Sequence, residues 1–169
     1  MSRAIRIWRA GGTAAVLAFT LILSACAQNG ADLDEVGIAG GTVLGTGPGS
    51  VQEFQVTVGD RVFFLTDSSE LTPDGRATLS RQAQWLQLYP QYTILIEGHA
   101  DERGTRDYNF SLANRRTEAA KTYLASLGVP LNRMTTISYG KERPVAICDD
   151  ISCWSQNRRA VTVVNNAGV

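Results

Sequence analysis

From Ile96 to Arg116 the chain reads IEGHADERGTRDYNFSLANRR, which sets its single histidine, His99, beside Asp101, Glu102, Arg103, Arg115 and Arg116. Residues of these types could serve acid/base catalysis, metal binding or the clamping of a charged ligand. For catalysis the pattern is poor. Asp101 and Glu102 are adjacent, so their side chains diverge in an extended loop, and no G-x-S-x-G or comparable nucleophile signature accompanies His99. A calcium site would draw on loop acids and carbonyls, but DERGTRDYN lacks the EF-hand ligand pattern and brings two arginines into the cavity. A purely architectural role is the plainest alternative, with His99 and Asp101 capping a strand end and the other charges facing water.

Spacing favours the clamp. Asn109, Leu112 and Arg116 stand at i, i+3 and i+7, which puts them on one face of a helix. The loop that carries His99 and Asp101 enters that helix directly upstream. A carboxylate from the loop and a guanidinium from the helix can therefore border one cleft, with Leu112 as its apolar wall. Such a pair suits a ligand with an ammonium and a carboxylate a few ångströms apart, because guanidinium binds carboxylate bidentately and Asp101 can accept from the ammonium. An internal Asp101–Arg116 salt bridge remains open as the alternative.

Elements that would position this stretch are legible on either side of it. VQEFQVTVG (51–59) and RVFFL (61–65) are rich in β-formers and flank Gly59-Asp60, which predicts a hairpin. Thr72-Pro73 opens a helix, with Thr72 at the N-cap, Leu79, Ala83, Leu86 and Leu88 as its apolar side, and Pro90 as its stop. YTILIEG (92–98) reads as a central strand. A second helix is expected over 108–127, with Ala113, Ala120, Leu124 and Leu127 toward the core and Gly128 ending it. Strands follow at 134–140 and 158–165, joined by a loop holding Cys148, Cys153 and Trp154. The order predicts an α+β domain of βαβαββ type, a mixed sheet with helices packed on it.

The N-terminal part is organised differently. Arg3, Arg6 and Arg9 precede an uncharged run, Ala14 to Leu23, shorter than the roughly 20 residues that cross a bilayer but of secretory h-region length. Leu23-Ser24-Ala25-Cys26 resembles a bacterial lipobox, in which the cysteine is lipidated and becomes the mature N-terminus; the alternative is an ordinary signal peptide. Ala27, in place of aspartate, resembles an outer-membrane address. The chain therefore divides into a leader (1–25), a lipidated start and tether (26–50) and a folded domain (51–169). Residues 27–50 carry seven glycines and few large apolar groups, so they read as a flexible tether of roughly 25–30 Å mean reach. With Cys26 assigned to lipid, Cys148 and Cys153 are left as a pair in an exported chain, and a disulfide is expected, contributing roughly 2 kcal/mol. Free thiols are the alternative; zinc lacks the ligands.

The whole chain has a formal charge of zero. The leader takes away three arginines and no acids, which leaves 13 basic against 16 acidic residues, about −3. That excludes the basic footprint of a nucleic-acid binder. No cofactor is implied.

The chain as read so far resembles the outer membrane protein A C-terminal-like domain family. The resemblance covers about residues 55–165 and rests on VFFLTDSSEL (62–71), GHADERGTRDYN (98–109), LANRR (112–116), ISYGKERP (137–144) and SQNRRAV (155–161). The lipobox and tether point to its lipid-anchored members. The resemblance implies non-covalent binding of peptidoglycan through the meso-diaminopimelate of the stem peptide. Asp101 would accept from the ammonium of that residue and Arg116 would hold its carboxylate. Asn109, Leu112 and Arg103 would line the pocket, with Phe64, Thr66 and Asp67 on the opposite wall, where many members carry an aromatic in place of Thr66. It also implies partnership with TolB and other Tol proteins, and an outer-membrane location with lipid attached through Cys26. Two competing functions are a periplasmic wall-modifying enzyme using His99 and Asp101, and a structural lipoprotein in which Asp101 and Arg116 merely pair.

Overall fold

A computed structural model of the chain describes residues 47–166. The leader, Cys26 and most of the tether lie outside the described residues.

Four strands form one mixed sheet: β1 (Arg61–Phe63), β2 (Tyr92–Gly98), β3 (Met134–Ser138) and β4 (Arg159–Asn166). Their order is β1-β4-β2-β3, with β4 antiparallel to both neighbours and β2 parallel to β3. The helices that matter to the sheet are α2 (Pro73–Leu88) and α3 (Arg106–Ser126); α2 packs on β1, α3 on β2 and β3, and the two pack on each other. Along β2 the residues Tyr92, Ile94, Ile96 and Gly98 are buried and their alternates only half-buried, so one face of the sheet carries the helices. Leu79, Leu86, Ile94, Ile96 and Leu124 form the centre of the core, each at most 2 % exposed.

The expected α+β architecture is present, and several local signals act as anticipated. Thr72 caps α2 by accepting from Gly75 N at 3.0 Å, with Pro73 as the first helical residue. Gly128, at φ 94°, follows α3 where a left-handed residue is needed. Leu88 is an exception: it is 73 % exposed and does not belong to the apolar side of α2.

Residues 51–59 do not form a strand. They make a short helix, α1 (Val51–Glu53), that continues as a π-helical segment, Phe54–Gly59, and β1 takes β4 as its partner instead. The cause is a cap and an anchor. Ser50 accepts from Glu53 N at 3.1 Å, while Glu53 accepts from Gly49 N at 2.7 Å and from the Trp85 indole at 2.8 Å. Phe54 and Val58, one helical turn apart, are thereby buried, with Phe54 edge-on to Trp85 at 4.9 Å. Gln82 closes the end by donating to Gly59 O at 2.6 Å. Burial of this aromatic pair outweighs the β-propensity of the valines.

The segment between β3 and β4 also holds more structure than a loop. Cys148 and Cys153 are joined, with Cα atoms 5.7 Å apart, and helix α4 (Ile151–Asn157) lies across the second cysteine. Asp150 caps α4 by accepting from Ser152 N at 2.7 Å. Asn157 secures the preceding turn, accepting from Val145 N and Ala146 N and donating to Ala146 O.

Candidate ligand-binding site

The site starts from the strand-to-helix connection after β2. Gly98 ends the strand where α3 comes so close that a Cβ would lie 2.2 Å from Ala113 O. The chain then turns through Ala100–Thr105, and Thr105 caps α3 by accepting from Tyr108 N at 3.3 Å. Asn109 ties this loop to the first helical turn, donating to Arg103 O at 2.7 Å and Thr105 O at 3.1 Å. Lys141 holds it from outside through Glu102 O and Gly104 O.

The opposite wall is the loop after β1. Arg158, at the head of β4, ties its first residue down: Phe64 N donates to Arg158 O at 2.9 Å, and Arg158 Nε donates to Phe64 O at 3.0 Å. Arg116 reaches across from α3 and donates through Nε to Ser68 O at 2.9 Å and through Nη2 to Leu65 O at 3.2 Å. Its Nη1 donates to His99 O at 2.8 Å. One guanidinium thus joins both walls. Three of its five N–H donors are used on carbonyls, and the residue is fully buried. Burial, with the nearby Arg158 charge, lowers the Arg116 pKa to about 10, so it remains a cation at neutral pH.

Between the walls lies a cleft of about 240 Å³ lined by Thr66, Asp67, Asp101, Arg103, Gly104, Tyr108, Asn109, Leu112 and Arg116. Every residue anticipated for the pocket borders it except Phe64, which is buried behind Arg116 with its ring 5.1 Å from the guanidinium carbon.

Asp101 and Arg116 do not form the internal salt bridge held open above. Asp101 Oδ2 pairs with Arg103 at 2.7 Å and with Arg158 at 3.3 Å. Burial works against the Asp101 charge, but the hydrogen bonds from Arg103 and Arg158 outweigh it and hold the carboxyl below its usual range. The guanidinium carbon of Arg103 also lies over the Trp154 ring, 4.1 Å from its centroid, and the indole N–H of Trp154 donates to Glu102. Across the cleft, Tyr108 donates to Asp67, a bond that raises the Tyr108 pKa. Asp67 itself sits at φ 53°, a left-handed conformation that aspartate tolerates better than most residues.

His99 is 2 % exposed and does not line the cleft. Burial, helped by Arg159 and Arg143, lowers its pKa to about 4, so the ring is neutral at ordinary pH. Its backbone N–H donates to Arg159 O and its ring lies 5.5 Å from that of Tyr139, tilted by 32°, as a strand-end residue would. Among the described residues, no three His, Cys, Asp or Glu side chains gather as a metal-binding set.

Arg158, Tyr108 and Trp154 are participants that the sequence did not single out. Tyr108 could have been found, since it precedes Leu112 by four and Arg116 by eight on the same helical face. Arg158 lies 57 positions from Asp101, and no local pattern joins them.

The OmpA family model matches residues 63–159, a span that includes both walls of the cleft. The chain is 61 % identical over 153 residues to a peptidoglycan-associated lipoprotein of Rhizobium meliloti, covering 90 % of this chain and 86 % of the relative. It is 65 % identical over 133 residues to one of Brucella melitensis, covering 77 % and 79 %. Among solved structures it is similar to the peptidoglycan-associated lipoprotein from Burkholderia pseudomallei, with TM-score 0.65 and 39 % identity over 69 % of this chain and all of that one.

Proposed function

The chain belongs to the OmpA family, and from that membership we propose that it is an envelope lipoprotein that binds peptidoglycan non-covalently. The ligand is the meso-diaminopimelate of the stem peptide, held in the cleft between the β1–α2 loop and the start of α3. Asp101 accepts from the ligand ammonium. Arg116, through the N–H groups not used on carbonyls, and Arg103 meet its carboxylate. Asn109, Leu112, Thr66 and Asp67 shape the surrounding wall. Cys26 carries lipid in the outer membrane, residues 27–50 span the gap, and the domain grips the wall. TolB and other Tol proteins are its periplasmic partners.

The observation that carries this reading is the convergence of one carboxylate and two arginines, Asp101, Arg103 and Arg116, on a single open cleft. Charge-assisted hydrogen bonds contribute roughly 1.5–3 kcal/mol each, much of it offset by ordering costs. Modest affinity per site is workable, because the anchor keeps the domain near a wall that offers many copies. The wall-modifying alternative has less behind it: His99 is buried away from the cleft, and Asp101 is engaged by two guanidinium groups.

Co-sedimentation of the protein with isolated cell-wall sacculi tests the proposal. Wild type is expected to pellet with intact sacculi and to stay in solution when an amidase has stripped the stem peptides. Equal pelleting with stripped sacculi would overturn the stem-peptide assignment.

A further inference from the structure

The carboxylate of Asp101 has little acceptor capacity to spare. Oδ1 accepts from the backbone N–H of Arg103 at 3.2 Å and from its Nε at 3.1 Å. Oδ2 accepts from Arg103 Nη2 at 2.7 Å and from Arg158 Nη1 at 3.3 Å. An ionised carboxylate offers about four lone-pair sites, and these four bonds use them. A ligand ammonium can reach Asp101 only by exchange with a donor already there.

The two arginines differ in their freedom to leave. Arg158 is enclosed, with a side chain 7 % exposed and its Nε fixed on Phe64 O. Removing it from Asp101 would strand a buried cation. Arg103 has a side chain 40 % exposed, and only its charged end is held by Asp101. Its guanidinium carbon lies over the Trp154 ring, 4.1 Å from the centroid, a cation–π contact that does not depend on the bonds to Asp101.

On the reading given under Proposed function, we infer that Arg103 is a displaceable counter-ion of Asp101 that makes the cleft select a zwitterionic ligand end over a purely cationic one. An incoming ammonium takes the acceptor sites of Arg103, and the released guanidinium stays close by on Trp154. Two cations then stand within a few ångströms. A carboxylate on the same carbon as the ammonium neutralises the second one and pairs with it bidentately. A plain alkylammonium leaves it uncompensated, so the exchange gains nothing. Arg103 is thus a specificity-determining residue, and Trp154 a positioning residue that acts through it.

Diaminopimelate and lysine stem peptides make the comparison direct, since lysine keeps the side-chain ammonium and lacks the neighbouring carboxylate. Both are titrated calorimetrically into wild type, Arg103→Gln and Arg103→Ala, with unfolding curves to establish that the variants are folded. Wild type is expected to prefer the diaminopimelate peptide. In both variants the lysine peptide gains affinity and the preference falls by about tenfold or more, the scale of one charge-assisted bond. A preference unchanged in the variants, or both peptides weakening in parallel, would overturn the exchange role while leaving the binding function intact. Failure of wild type to bind either peptide would remove both.

Discussion

The guanidinium of Arg116 donates to the carbonyl of His99 at 2.8 Å, while the carboxylate of Asp101, two residues further on, is held by Arg103 and Arg158. The helix arginine therefore builds the cleft as well as bordering it. It holds the residue after β2 and two carbonyls of the opposite loop at once, and the cleft depends on those two walls keeping their distance.

Arg116→Ala is accordingly expected to destabilise the domain. The carbonyls of Leu65, Ser68 and His99 lose this donor; that of His99 is buried, and stranding it costs about 1–3 kcal/mol, while the other two lie nearer water and Leu65 O keeps the Ser68 N–H. A total loss of about 1–3 kcal/mol in urea unfolding is the expected outcome. Arg116→Lys should recover less than half of it, since an ammonium cannot reach three divergent carbonyls. A loss under about 1 kcal/mol would show that the walls hold without the guanidinium.

His99 gives the fold an acid sensitivity. Its pKa is lowered to about 4 when folded against an ordinary value near 6.5, so below 6.5 the unfolded chain binds the additional proton. Stability is complete above pH 6.5 and falls as the pH drops through 4. His99→Phe should flatten the stability profile between those values, and a slope that persists in the variant would assign the effect elsewhere.

Gly98→Ala tests the closeness of β2 and α3. The added Cβ would meet Ala113 O at 2.2 Å and Thr117 Cγ2 at 2.7 Å, so strand and helix must part. A loss of about 1–3 kcal/mol is expected, together with weaker ligand binding, because the helix face bearing Asn109, Leu112 and Arg116 moves with α3.

Replacing both Cys148 and Cys153 by serine should cost about 2 kcal/mol and act locally. Hydrogen exchange is expected to rise over residues 145–157 and to stay low in β2 and α3. Uniform loss of protection would mean that the bridge supports the whole domain.

Most of the architecture was legible because its signals are local. Thr72-Pro73 opens a helix wherever it stands ahead of a helical apolar pattern, and the continuous apolar run of β2 admits few other readings. The face shared by Asn109, Leu112 and Arg116 follows from helical periodicity alone. Residues 51–59 depart from the expected strand because only propensity is local there, and the deciding partners, Trp85 and Gln82, lie 32 and 23 positions from the residues they hold. The partners of Asp101 were hidden for a related reason. A bridge to Arg116 stayed open in the sequence, but Arg103 takes the carboxylate from two positions away and Arg158 from the residue before β4, and only the folded sheet brings the latter to it.

The most direct test of the central claim is a calorimetric titration of the protein with a diaminopimelate-containing stem peptide, beside Asp101→Asn. Saturable binding by wild type, lost in a variant that still unfolds cooperatively, is the predicted result. A folded wild type that releases no saturable heat, or an Asp101→Asn variant that binds as well as wild type, would contradict it.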